Sequence, residues 1–177
     1  MHLWHDISVG ENAPEVLTAI IEIPRGSQNK YEINKETGLI SLDRVLFGAN
    51  FYPFDYGFAP QTLWEDGDAL DICVLTTNPL FAGCQVEVRP IGVMHMIDGG
   101  ESDDKVICVP TADPRFAHIK DLADIGEHRV KEMQNFFETY KLLQKKEVKI
   151  TGTEGAKQAM ETVKKSIKLY ADKFGKK

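Results

Sequence analysis

Cysteine is scarce: only Cys73, Cys84 and Cys108 occur in 177 residues, each with apolar neighbours on one or both sides. An odd number at wide spacing builds no disulfide framework and no CxxC zinc pattern, which points to a reducing compartment. Each cysteine reads as a small hydrophobe. No apolar stretch reaches 18 residues, so no membrane-spanning helix and no membrane partner are expected. The start of the chain, Met1-His2-Leu3-Trp4-His5-Asp6, lacks a basic segment followed by an apolar run. No secretory signal is therefore visible, and a cytoplasmic location is the expectation. An excess of basic residues is missing too. Lys and Arg number 21 against 27 Asp and Glu, for a net charge of −6, which argues against nucleic acid as a partner. Acidity does not exclude an anionic substrate, because bound cations reverse a local field. Repeats, low-complexity tracts and linkers are also absent, so residues 1–177 are expected to form a single domain. At 42% hydrophobic and 27% charged residues, such a domain has enough apolar material for a core.

What is present divides into strands first and helices last. Val16 to Ile23 is rich in β-branched residues and reads as a strand. Pro24 to Ser27 is a turn cluster. Lys30 to Ile33 alternates polar and apolar, Asn34 to Gly38 reads as a hairpin connection, and Leu39 to Arg44 as its return strand. Gly48, Pro53, Gly57, Pro60 and Gly67 make residues 48–71 loop and short strand. Val86 to Met96 is a strand that Pro90 confines to an edge or a bulge. Val106 to Val109 is another short strand. From Asp121 to Leu143 the period is helical, with Val130, Met133, Phe137 and Tyr140 on one face. Val148 to Thr151 reads as a last strand. From Glu154 to Phe174 the period is again helical, through Ala156, Ala159, Met160, Val163, Ile167, Tyr170 and Phe174. This order argues for an α+β fold rather than alternating βαβ units, and several short turn-rich strands suggest a small barrel.

Asp66, Asp68 and Asp71 fall within six residues, with no basic residue among them. Two carboxylates ~5 Å apart repel by roughly 3 kcal/mol at an effective dielectric of ~20. A fold tolerates this if the loop is solvated, a carboxylate is protonated, or a cation is bound. On the loop alone, a solvated Asp-Gly turn accounts for the pattern as well as a metal site does. Three features favour the metal. The apolar run Ile72 to Leu75 ties the loop to the core. A second acidic cluster follows at Asp98, Glu101, Asp103 and Asp104. Glu22 and Glu32 occupy polar phases of strands. All-oxygen sites suit hard ions such as Mg²⁺ or Mn²⁺. An EF-hand is excluded, because the sixth position from Asp66 is Asp71 and the twelfth is Thr77. His2, His5, His95, His118 and His128 form no close pair near the acids, so zinc does not fit.

Acids alone would only hold ions. Lys30 shares a strand face with Glu32. Arg44 ends the next strand, Lys105 follows the second acidic cluster, and Tyr140-Lys141 lies on the first long helix. Tyr52 and Tyr56 bracket Pro53-Phe54-Asp55. Lys, Arg and Tyr side chains bind phosphate oxygens through strong hydrogen bonds, although a single Lys or Arg reads first as a solvated surface residue, Tyr140 equally as core packing, and Tyr52 and Tyr56 as packing of a Pro-rich loop.

Together these segments resemble the soluble family I inorganic pyrophosphatases. The matching residues are Ile21 to Pro24, Lys30-Tyr31-Glu32, Asp43-Arg44, Phe51-Tyr52-Pro53 with Tyr56-Gly57, and Asp66 to Asp71. They continue through Arg89 to Val93, Asp98 with Asp103 and Lys105, Val109-Pro110, His118 to Asp121, and Phe136 to Glu138 with Tyr140-Lys141. They run in the family's order along nearly the whole chain. One departure is Ala69, where the family usually has Pro or Glu; without proline the loop is expected to be less rigid. The resemblance implies an OB-like five-stranded β-barrel flanked by helices, hydrolysis of pyrophosphate, several Mg²⁺ per site and assembly into homohexamers. It places metal ligation on Asp66, Asp71, Asp98 and Asp103, with Glu22 and Glu32 nearby. It places phosphate binding on Lys30, Arg44, Tyr56, Tyr140 and Lys141, with Lys105 in support, and proton acceptance on Asp68. Other readings are a metal-dependent nucleotide phosphohydrolase, an oligonucleotide-binding OB module and a structural calcium protein. Phe136 and Phe137 are candidates for the subunit interface or, equally, for the core.

Overall fold

In the computed structural model, residues 1–175 are described; Lys176 and Lys177, the end of the range expected to form one domain, lie outside the described residues. Nine strands and two α-helices follow in order: β1 Leu17–Ile23, β2 Asn29–Ile33, β3 Ile40–Val45, β4 Asp55–Phe58, β5 Asp71–Val74, β6 Gln85–Asp98, β7 Glu101–Ser102, β8 Lys105–Pro110, α1 Glu127–Thr139, β9 Val148–Gly155 and α2 Ala156–Phe174. Strands β1, β4, β5, β8 and β6 pair in that sequence, and β6 pairs back onto β1, closing a five-stranded ring. Only β5 and β8 run parallel within it. This is the OB-like barrel with flanking helices that the resemblance implied. Closure removes the exposed edges of an open sheet. Among the described residues no helix is long and apolar enough to cross a membrane.

The 14-residue β6 serves two partners in succession. Residues 85–88 pair with β1, and residues 92–98 pair with β9. Pro90 sits at the change of partner, where the ladder to β8 also shifts register. Of the two options for Pro90, the bulge is therefore the observed one. Gly92 is needed nearby, since a Cβ there would approach Glu154 O and Leu122 Cβ to 2.9 Å.

Two further bulges set the direction of charged side chains. In the β1–β4 ladder Ile21 opposes Gly57 and Ile23 opposes Tyr56, so Glu22 is the extra residue. A side chain at Gly57 would place its Cβ 1.8 Å from Ile20 O, so the close approach of β4 to β1 requires glycine. In the β2–β3 hairpin Lys30 opposes Arg44 and Tyr31 opposes Leu42, leaving Asp43 extra.

The helices differ from the sequence reading at their ends. α1 begins at Glu127, not Asp121, because Gly126 has φ +83° and breaks the helical path. Asp121 instead caps a short 3₁₀ turn at Leu122–Ile125. α1 ends at Thr139, and Leu142–Gln144 form a separate 3₁₀ turn. α2 starts at Ala156 because Glu154 and Gly155 still pair with β6. Phe136 and Phe137 are 4% and 1% exposed and stack among Tyr52, Phe54, Tyr56 and Tyr140. Of the two roles open to these phenylalanines, core packing is the one found. Burying aromatic rings of this size is a large part of what fixes α1 against the barrel.

Candidate active site

The ends of several strands deliver their polar residues to one cleft of about 370 Å³. It is lined by Glu22 of β1, Lys30 and Glu32 of β2, Tyr56 of β4, the loop residues Asp66, Asp68 and Ala69, and Asp71 at the head of β5. Asp98 ends β6, Glu101 opens β7, Asp103 precedes β8, and Tyr140 and Lys141 follow α1. Eleven of the thirteen residues expected at the site therefore meet there. Arg44 and Lys105 do not line the cleft. Lys105 is 1% exposed beneath it and pairs with both Asp71 and Asp103. Arg44 pairs with the bulged Asp43, which lies 3.8 Å from Lys30 Nζ.

Local structure sets each group. The bulge turns Glu22 inward, where it is 5% exposed and accepts the Ile33 N–H at 2.6 Å. Asp71 and Lys105 are register partners in the parallel β5–β8 pair, so their ion pair follows from strand alignment. Lys141 pairs with Asp98, Lys30 with Glu32, and Lys35 with Asp68. The Asp66–Asp71 loop is held at several points. Trp64 N–H donates to Asp68 O at 2.7 Å, Asp68 N–H to Asp66 Oδ1 at 3.0 Å, and Leu70 N–H to Thr62 Oγ1 at 2.9 Å. Gly67 supplies the turn with φ +86°. Ala69 is 8% exposed and packs with Trp4, Ile20, Phe58 and Leu63.

Sequence reasoning left Lys35, Glu101 and Asp43 outside its site. Glu101 was in view as part of the second acidic cluster, and Asp43 adjoins Arg44. Lys35 gives no signal, because a lysine in a hairpin turn has the pattern of any solvated surface residue.

The electrostatics are unbalanced. Eight carboxylates line the cleft with three lysines. Burial, then the Asp71 charge, pushes the Glu22 carboxyl up to about 8, against the pull of the Ile33 N–H and Lys30. Burial pushes Asp66 up to about 6. Burial also raises Asp103, opposed by Lys105. Lys30 is lowered by burial and by Arg44. Burial works against the Lys105 ammonium, but Asp71 and Asp103 outweigh it and hold the charge. Among the described residues no three carboxylates close on one point; the lysines carry part of the counter-charge instead. An all-oxygen donor set with surplus negative charge fits hard divalent cations.

These shifts fix a pH dependence. Between the ordinary carboxyl value of 4.5 and about 8, folded Glu22 holds a proton that the unfolded chain has lost. Stability therefore falls as pH rises through that window. In chelator-treated protein the thermal midpoint should drop from pH 5 to pH 8. The drop should shrink in Glu22→Gln and on adding a divalent cation. A wild-type slope identical to that of Glu22→Gln, measured by circular dichroism, contradicts this account.

Comparison with known proteins agrees with the geometry. The family described as inorganic pyrophosphatase matches residues 19–171. A soluble inorganic pyrophosphatase of Oryza sativa subsp. indica is 47% identical over 169 residues, spanning 96% of this chain and 79% of that protein. An inorganic pyrophosphatase of Picrophilus torridus is 44% identical over 170 residues and 96% of each chain. The crystal structure of inorganic pyrophosphatase from Thermus thermophilus aligns with a TM-score of 0.92 at 50% identity, covering 96% of this chain and 99% of that one. The matched span takes in nearly all of the barrel, the acidic cleft and the flanking helices, and the chain belongs to the soluble, family I inorganic pyrophosphatases.

Proposed function

We propose that this chain hydrolyses inorganic pyrophosphate to two orthophosphates by in-line attack of water, with Mg²⁺ as its cation and no covalent enzyme intermediate. The observation that carries the reading is the meeting of two acidic clusters with Lys30, Tyr140 and Lys141 in one cleft. In this reading Asp66, Asp71, Asp98 and Asp103 would hold several Mg²⁺, with Glu22 and Glu32 nearby. When bound, Mg²⁺ lowers the pKa of a water and neutralises phosphate charge. Asp68, which lines the cleft, orients the attacking water and accepts its proton. As the bond from water oxygen to phosphorus forms, the bond to the bridging oxygen breaks, and the charge leaves with the second phosphate. Lys30, Arg44, Tyr56, Tyr140 and Lys141 hold the two phosphates and stabilise that charge, supported by Lys105 from below.

Residues 1–177 act as one domain in the cytoplasm, with neither nucleic acid nor membrane as partner. The chain assembles as a homohexamer. Phe47, Phe51, Leu142 and Leu143 support self-association, since each is more than half exposed. The Asn50–Thr139 hydrogen bond joins their two segments, and Leu143 lies near Gly48. Sedimentation at six chain masses is expected, and a monomer would contradict the assembly.

Asp68→Asn tests the proton acceptor. The variant should lose about 10²- to 10⁴-fold in hydrolysis rate while calorimetry finds Mg²⁺ binding retained. An unchanged rate in the folded variant removes Asp68 from the scheme.

A further inference from the structure

His95 takes no part in the proposed chemistry, yet both of its ring nitrogens are engaged. Nδ1 lies 2.7 Å from Asp104 Oδ2, and Nε2 lies 3.1 Å from Glu154 Oε2. Asp104 is 8% exposed, and its other oxygen accepts the Met96 N–H at 3.2 Å. A neutral imidazole has one N–H and can donate to only one of two carboxylates. Burial disfavours the charged ring, but hydrogen bonds to Asp104 and Glu154 raise its pKa and favour the form that donates to both.

The position of Asp104 gives this bridge its consequence. Side chains of successive residues in an extended segment point to opposite faces. Asp103 reaches the cleft and pairs with Lys105 beneath it, while Asp104 turns back towards β6 and β9. The Asp103 N–H donates to Met96 O at 2.9 Å, and Lys105 is in register with Met94. The β6–β9 ladder is irregular at the same level. His95 opposes Gly152 and Met96 opposes Ile150, leaving Thr151 extra, with its Oγ1 donating to His95 O at 3.3 Å. Where the ladder is interrupted, side-chain bonds must set the spacing between strands.

We propose that His95, by bridging Asp104 to Glu154, is a positioning residue that holds the Asp103 carboxylate at the cleft and the Lys105 ammonium beneath it. The inference rests on the assignment of Asp103 as a metal ligand. It places a control over metal affinity on the side of β6 turned away from the cleft.

The test is phosphate release from pyrophosphate against Mg²⁺ concentration for His95→Ala, Asp104→Ala and the double variant, with folding checked by circular dichroism. The half-saturating Mg²⁺ concentration should rise about tenfold in each single variant, with the limiting rate changed far less. The double variant should be no worse than either single one, because both cut the same connection. Glu154→Gln alters an exposed side chain and keeps an acceptor for the ring, so it should give a smaller rise in a folded protein. Unchanged Mg²⁺ dependence in all folded variants, or additive effects in the double variant, overturns the proposal. Asp103→Asn separates the two levels. If it also leaves Mg²⁺ dependence unchanged, the ligand assignment fails and the proposal falls with it. If it shifts the dependence and the His95 variants do not, only the positioning role fails.

Discussion

Like charges held about 5 Å apart at an effective dielectric near 20 repel by roughly 3 kcal/mol, and this chain gathers eight carboxylates around one cleft. Lys105 beneath Asp71 and Asp103, and Lys141 beside Asp98, offset only part of that repulsion. Burial first, and the Asp71 charge second, keep a proton on the Glu22 carboxyl up to about 8. A protein that concentrates charge in this way must either bind protons or bind cations. The same surplus that makes the empty cleft unfavourable makes cation binding favourable, so the cost to the fold is also the source of metal affinity.

Holding those groups in place falls to the barrel. A closed ring has no free edge to slip, so strand register is fixed, and register alone aligns Asp71 with Lys105. Bulges then supply what regular strands cannot. At Glu22 an extra residue in β1 turns a carboxylate into the interior, made possible by the missing Cβ of Gly57. At Asp43 an extra residue in β3 brings a carboxylate between Lys30 and Arg44, which would otherwise face each other as like charges.

Much of this was legible in local pattern. Richness in β-branched residues located β1, alternation located the first strand of the β2–β3 hairpin, and spacing identified both acidic clusters. The misplaced helix ends have a common cause. Periodicity continues through Asp121 to Ile125 and through Glu154, but a positive φ at Gly126 and strand pairing at Glu154 shorten both helices at their starts. Periodicity also could not choose between core and interface for Phe136 and Phe137, because both uses want an apolar face. The pairing of β1 with β6, the burial of Lys105 and the Lys35–Asp68 contact depend on residues far apart in sequence, which no local window contains.

The central claim is that surplus carboxylate charge in the cleft is matched by a divalent cation required for pyrophosphate hydrolysis. Phosphate release from pyrophosphate, measured with Mg²⁺ present and then with EDTA in excess, tests it most directly. The account predicts release that is abolished by EDTA and restored when Mg²⁺ is returned. Undiminished release in the presence of EDTA would contradict it.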